Sequence, residues 1–208
     1  MKKVAILIDG GFISKVYKKR TAKDITADAV IRIAHKTIDL RREELFRIYY
    51  YDAPPSKERL TNPLDSEHRE YFQQTFYDNI TNFHRSLAEK DFVALRLGHL
   101  YFNGWKLSDF ALNRISRSKT KRTISASDIV PDFKQKAVDM TIGLDIAWLA
   151  TKRIVDTVML ITADNDFIPA MKFARKEGLH VAIARIGNLN SEMMQHSDRV
   201  INIDIGMV

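Results

Sequence analysis

The sequence has no cysteine among its 208 residues, which excludes disulfides, thiolate zinc sites and a cysteine nucleophile together. Its six histidines, His35, His68, His84, His99, His180 and His196, show no paired metal-ligand spacing. No apolar run is long enough to span a membrane, because the longest candidate is broken by Asp139 and Asp145. Met1-Lys2-Lys3 ahead of an apolar run resembles the start of a secretory signal, but Asp9 interrupts the run and no small-residue cleavage site follows. The expected location is therefore cytoplasmic, with no membrane partner. Internal repeats and low-complexity segments are missing too, as is the G-x-G-x-x-G spacing that cradles a dinucleotide phosphate.

What is present is 45% hydrophobic content over a length that suits one well-packed domain spanning residues 1–208. Lys and Arg number 33 against 26 Asp and Glu, a net charge of +7 that favours a polyanionic partner such as nucleic acid. Apolar strands alternate with amphipathic helices, the pattern of an α/β fold around a parallel sheet. Strands are expected at 4–8, 45–51, 93–97, 158–161 and 180–184, with an alternating edge strand in 200–205. Helices are expected at 25–40, capped by Thr26 or Asp28, at 66–89, at about 137–151, and at 167–177 closed by Gly178.

Patterning weakens over residues 98–136, which read as a basic and aromatic insertion. Arg114, Arg117, Lys119, Lys121 and Arg122, spaced by hydroxyl side chains, could track a phosphate backbone or form a solvated loop. Tyr49, Tyr50, Tyr51, Tyr101 and Trp105 could stack bases if exposed, although strand aromatics are more often core. The aromatic insertion and the terminal apolar strand also hint at a homo-oligomer.

Acids recur at the ends of the expected strands. Val4-Ala5-Ile6-Leu7-Ile8 runs into Asp9 and then Gly10-Gly11, which permit close approach. Val158-Met159-Leu160-Ile161 runs into Thr162-Ala163-Asp164-Asn165-Asp166. Open α/β sheets bind ligands beyond the carboxyl ends of their strands, so carboxylates there point to a metal or phosphate site. A third acid, Asp139, opens a helix that reads as apolar nearly all round and hence buried on more than one side. Asp145 follows roughly 120° round that helix and about 9 Å along it, too far to share a ligand position, so it reads as an outer or structural acid. Asp52 is a further acid at a strand terminus. Each has an ordinary alternative: Asp9 could cap a turn, Asp164 or Asp166 could cap the next helix, and Asp139 could merely favour a helix N-terminus.

Ile8-Asp9-Gly10-Gly11, Lys136-Ala137-Val138-Asp139 and Ile161-Thr162-Ala163-Asp164-Asn165-Asp166-Phe167 together resemble the three acidic motifs of NYN domains, the PIN-like nuclease branch that includes LabA-like proteins. Gly178-Leu179-His180-Val181, and Ser191 with Asp198, extend the resemblance over most of the chain outside the insertion. The resemblance implies a three-layer α/β/α fold with a central, mainly parallel sheet. It also implies a metal-dependent ribonuclease that acts on single-stranded or structured RNA. Asp9, Asp139, Asp164 and Asp166 would hold Mg²⁺ or Mn²⁺ as the catalytic and metal-binding acids. Gly10, Gly11, Lys136, Thr162 and Asn165, with Arg117, Lys119, Lys121 and Arg122, would contact substrate. Phe12 stands where the family commonly has asparagine, which leaves open a side-chain contact to the metal's water or to substrate.

Two rivals remain: a noncatalytic RNA-binding or scaffolding protein that keeps the fold, and an aspartate-nucleophile phosphatase. The phosphatase chemistry calls for a second acid two residues after the nucleophile, where this chain has Gly11.

Overall fold

The computed structural model describes residues 1–70, 74–118, 123–187 and 191–207. Strand β1, Lys2–Asp9, is followed by helix α1, Gly10–Thr21, and helix α2, Ala27–His35. Thr26 caps α2 by accepting a hydrogen bond from the Ala29 amide. Strand β2, Glu43–Asp52, precedes two short strands, β3 (Arg59–Thr61) and β4 (His68–Glu70), which pair antiparallel. Helix α3, Gln74–Ala88, leads to β5, Val93–Leu97. Strand β6 (His99–Leu107), helix α4 (Asp109–Ser116) and strand β7 (Ile129–Lys136) come next. The chain then runs through α5 (Val138–Lys152), β8 (Thr157–Ile161), α6 (Ile168–Lys176), β9 (His180–Arg185), α7 (Ser191–Gln195) and β10 (Arg199–Asn202).

Six strands form one sheet in the order β10-β9-β8-β1-β2-β5, and every neighbouring pair is parallel. Side chains alternate across the pleat and divide the apolar residues into two cores. Val4, Ile6, Ile8, Ile48, Tyr50, Met159 and Ile161 pack beneath α1, α2 and α3, through Ile13, Ile33 and Leu87. Ala5, Leu7, Tyr49, Tyr51, Val158 and Leu160 pack beneath α5 and α6, through Ile142, Ile146, Leu149 and Met171. The result is the expected three-layer α/β/α sandwich. Among the described residues no helix is long and apolar enough to cross a membrane.

Three expectations need correction. The helix anticipated over 66–89 is described over Gln74–Ala88, and His68–Glu70 forms a strand instead, because Asn62 and Ser66 close a turn that sends the chain back as the β3/β4 pair. Ser66 takes a left-handed φ of 58° there, and Tyr71 and Phe72, which fall within the anticipated range, lie outside the described residues. Helix α5 is buried on one side only. Val138, Ile142, Ile146 and Leu149 face the sheet, whereas Met140, Leu144 and Trp148 are exposed. Finally, α1 was not anticipated. Lys15, Lys18, Lys19 and Arg20 mask its period, although Ile13 and Tyr17 repeat at one helical turn and are both buried.

The described residues of 98–136 form an antiparallel arm. β6 and β7 pair antiparallel outside the main sheet, with His99 opposite Lys136 and Leu107 opposite Ile129, and α4 connects their far ends. Phe102 meets Trp105 and Phe133 edge to face on one side of this ribbon. Strand β7 then passes almost directly into α5, so the arm and the Asp139 helix meet at the carboxyl end of the sheet.

Candidate acidic active site

Chain direction around the sheet reverses at β1. The connection through α1 and α2 places β2 on one side, and β8 lies on the other. In open α/β sheets a crevice forms where neighbouring connections diverge in this way, beyond the carboxyl ends of the strands. Asp9 is the last residue of β1, and the β1/β8 pairing ends with Ile8 opposite Ile161. Thr162 is therefore the next residue beyond β8, and its hydroxyl donates to Asp9 Oδ2 at 3.0 Å. The same Thr162 oxygen accepts from the Asp164 amide at 3.2 Å, tying the two acidic loops together.

Asp9 does cap a helix: its Oδ1 accepts from the Phe12 amide at 3.0 Å at the start of α1. Phe12 points away from polar work, packing against the core beneath α1. Asp164 is likewise a cap, accepting from the Asp166 amide at 2.9 Å at the 3-10 turn Asn165–Phe167. Asp139 lies in the first turn of α5, after Ala137 with its left-handed φ of 71°. The capping and electrostatic roles coexist, since a carboxylate oxygen that accepts one hydrogen bond keeps a further lone pair for a cation.

Burial raises the Asp9 carboxyl above its ordinary range, against the hydrogen bonds from Phe12 and Thr162, and the negative charges of Asp139 and Asp164 raise it further. Asp139 is raised first by partial desolvation and then by Asp164 and Asp166. The four acids thus feel one another across three chain segments. Among the described residues none of them forms an ion pair, and no three carboxylate or histidine side chains already converge as ligands of one ion. The other two candidate acids have side-chain partners. Asp145 accepts from the Tyr51 hydroxyl at 2.8 Å and pairs with Arg96 at 3.2 Å, a structural role. Asp52 pairs with His84 at 3.0 Å and accepts from Gln135 at 3.3 Å.

The chemistry of the donors suits a hard divalent cation: these acids offer only oxygen, and among the described residues none has an ion pair. Asn165 adds a buried Oδ1 that receives no hydrogen bond among the described residues. Space is available as well. A Cβ built on Gly11 would meet only Asp9 Oδ1 at 3.5 Å and Gln135 Oε1 at 3.8 Å, so a methyl-sized volume stands open between two acceptors. Gly10 differs, because a Cβ there would collide with the Tyr51 carbonyl at 2.5 Å and the Tyr50 ring at 2.7 Å.

The basic candidates separate. Arg114 is bound to Asp128 at 2.6 Å and is thus engaged within the arm. Arg117 is the C-terminal cap residue of α4, and Lys119, Lys121 and Arg122 lie outside the described residues. Lys136 stands at the arm's root with its Nζ 3.8 Å from the Tyr101 ring centroid, next to the acidic crevice in sequence. Tyr101 is 48% exposed, whereas Tyr49, Tyr50 and Tyr51 are core residues and are removed from base stacking. Sequence reasoning missed Gln135, His84 and Arg96. His84 carries a signal in retrospect, because it lies on the same helical face as Leu87 and is the one polar group there that is buried.

The fold is an α/β/α sandwich with acids at the switch point of its parallel sheet, and comparison specifies the family. Residues 3–204 match the model of the NYN domain, so the chain belongs to the NYN domain family, within the PIN-like nuclease superfamily. A crystal structure of a protein of unknown function from Vibrio parahaemolyticus is similar over 98% of this chain and 93% of that one, with a TM-score of 0.52 and 17% identity. At that identity the likeness concerns the fold alone. No curated protein matches the chain.

Proposed function

We propose that this protein is a divalent-metal-dependent endoribonuclease of the LabA-like branch, acting on RNA in the cytoplasm. The order of the three acidic motifs supports the branch. One observation supports the activity: Asp9 and Asp139 each feel the negative charge of Asp164 near the switch point, and among the described residues none of Asp9, Asp139, Asp164 and Asp166 has an ion pair, while Asp145 has Arg96 and Asp52 has a hydrogen bond from His84. Uncompensated negative charge in a partly desolvated crevice is costly unless a ligand supplies the opposite sign.

In this reading Asp9, Asp139, Asp164 and Asp166 hold Mg²⁺ or Mn²⁺. The cation, when bound, supplies an acidified water and positive charge at the scissile phosphate. The chain does the rest. Thr162 fixes Asp9 and the Asp164 loop in one arrangement through its two hydrogen bonds. Gly11 leaves open space beside Asp9 for a phosphate to approach, and Gly10 contributes by letting α1 start close against β2. Lys136, backed by Tyr101, offers a point charge to the backbone of the substrate, and the positive charge of Arg117, Lys119, Lys121 and Arg122 adds to that attraction.

The test is incubation of total RNA with the purified protein, with Mn²⁺ and with chelator, beside Asp164→Asn, followed by mapping of the cut ends. Cuts at defined positions that vanish with chelator and with Asp164→Asn are expected. Binding of RNA without metal-dependent cleavage would instead favour the noncatalytic reading.

A further inference from the structure

One polar chain near the acidic crevice is unexplained by metal ligation. His84 is 5% exposed, and its Nε2 donates to Asp52 Oδ2 at 3.0 Å. Asp52 Oδ1 accepts from the Ala53 amide at 2.8 Å and from Gln135 Nε2 at 3.3 Å. A carboxylate only accepts, so Asp52 selects the nitrogen end of the Gln135 amide and fixes which way the group faces. Gln135 Oε1 is thereby left without a donor among the described residues, and it touches the methyl-sized space beside Gly11 that Asp9 Oδ1 also touches.

The chain joins three separate parts of the fold. His84 comes from α3, Asp52 ends β2 next to β1, and Gln135 comes from β7 of the arm. Asp9 lies opposite Tyr51 in the sheet, so Asp52 is one step beyond the β1 terminus. The arm thus delivers a neutral acceptor to the crevice, oriented from behind by a nearly buried pair. A carbonyl oxygen facing an open, polar space suits a hydroxyl hydrogen. Phe12, packed into the core, supplies no polar side chain here.

We infer that Gln135 Oε1 is a substrate-side acceptor that positions a hydroxyl donor beside Asp9, with Asp52 and His84 as the positioning residues that orient it. Two hydroxyl sources share this chemistry, the attacking water and the ribose 2′-hydroxyl next to the scissile phosphate. The inference rests on the nuclease reading.

The test uses the full chain with Mn²⁺ and two labelled oligonucleotides, an RNA and the same RNA with one 2′-deoxy nucleotide at the cut site. Gln135→Leu is expected to lower kcat on RNA about tenfold or more, with the thermal midpoint unchanged because Gln135 is exposed. If the hydroxyl is water, the RNA-to-deoxy rate ratio stays at its wild-type value. If it is the ribose hydroxyl, the ratio collapses towards one. Asp52→Asn, which offers the amide either end, should lower kcat less, and Asp52→Asn with Gln135→Leu should be no slower than Gln135→Leu alone. Gly11→Ala should fill the shared space and mimic Gln135→Leu. Wild-type kcat in Gln135→Leu overturns this inference and spares the nuclease reading, whereas an inactive wild type overturns both.

Discussion

Asp9→Asn is expected to reduce RNA cleavage by at least about a hundredfold, because removing partners of metal ligands alone already costs 10- to 100-fold in activity or affinity. The same change should make the protein more heat-stable in chelator. Asparagine can still cap α1 through its carbonyl, so the Phe12 hydrogen bond survives. What disappears is a carboxylate whose pKa burial raises above 3.8, helped by Asp139 and Asp164. A carboxyl raised in the folded state binds its proton more tightly there than in the unfolded chain. Its ionisation therefore costs stability as pH rises from 3.8 through the raised value, and the cost is fully present above that. Melting curves across that window should show the wild type losing more stability than Asp9→Asn. A variant that is inactive and also less stable at neutral pH would mean that Asp9 is chiefly structural. Gain of stability on loss of activity is the usual mark of charge kept for function.

Gly10→Ala should have the largest effect on folding. The added methyl would stand 2.5 Å from the Tyr51 carbonyl and 2.7 and 2.9 Å from two atoms of the Tyr50 ring. Neither can yield easily, since Tyr51 is in the central sheet and Tyr50 is fully buried with its hydroxyl 3.3 Å from Ser14. Overpacking of this kind costs about 1–3 kcal/mol and sometimes more. Chemical denaturation should show a loss at the upper end of that range. The adjacent Gly11→Ala meets nothing closer than 3.5 Å and should unfold at the wild-type midpoint. Equal stabilities for the two variants would contradict the close approach of α1 to β2.

Strands were the most legible part of the sequence, because those buried on both faces are continuous apolar runs with little alternative. Val4–Ile8 and Val158–Ile161 were read almost to their ends, and both are fully buried. Asp9 and Asp164 were named for the same reason, as each follows such a run, whereas Asp139 was named as an acid opening an apolar helix. Helices were less so. Helix α1 begins with two glycines and carries four cations, and the first part of the anticipated 66–89 helix is diverted by a turn whose hydrogen bonds depend on Asn62. The exposed face of α5 could not be read from composition, since Met140, Leu144 and Trp148 look like core residues.

Site chemistry divided along a similar line. Residues that act at strand ends are placed by the topology, so Asp9, Thr162 and Asp164 could be named from position. Residues that reach the crevice by tertiary pairing could not. Asp145 was separable from Asp139 by helical angle, but its partners Arg96 and Tyr51 come from other elements. Gln135 sits between two lysines on an irregular arm, where nothing in the local pattern distinguishes it. Arg114 stands in sequence among the candidate phosphate contacts, but it is engaged by Asp128, 14 residues away.

The central claim is that acids from three separate segments form one metal-dependent centre, and Asp139 is the member joined to the others by charge alone. The most direct measurement is the rate of cleavage of a labelled RNA against Mn²⁺ concentration, for the wild type and Asp139→Asn. The account predicts that Asp139→Asn needs a higher Mn²⁺ concentration for half-maximal rate and cleaves more slowly at saturation. An Asp139→Asn protein with the wild-type rate and the wild-type Mn²⁺ dependence would contradict it.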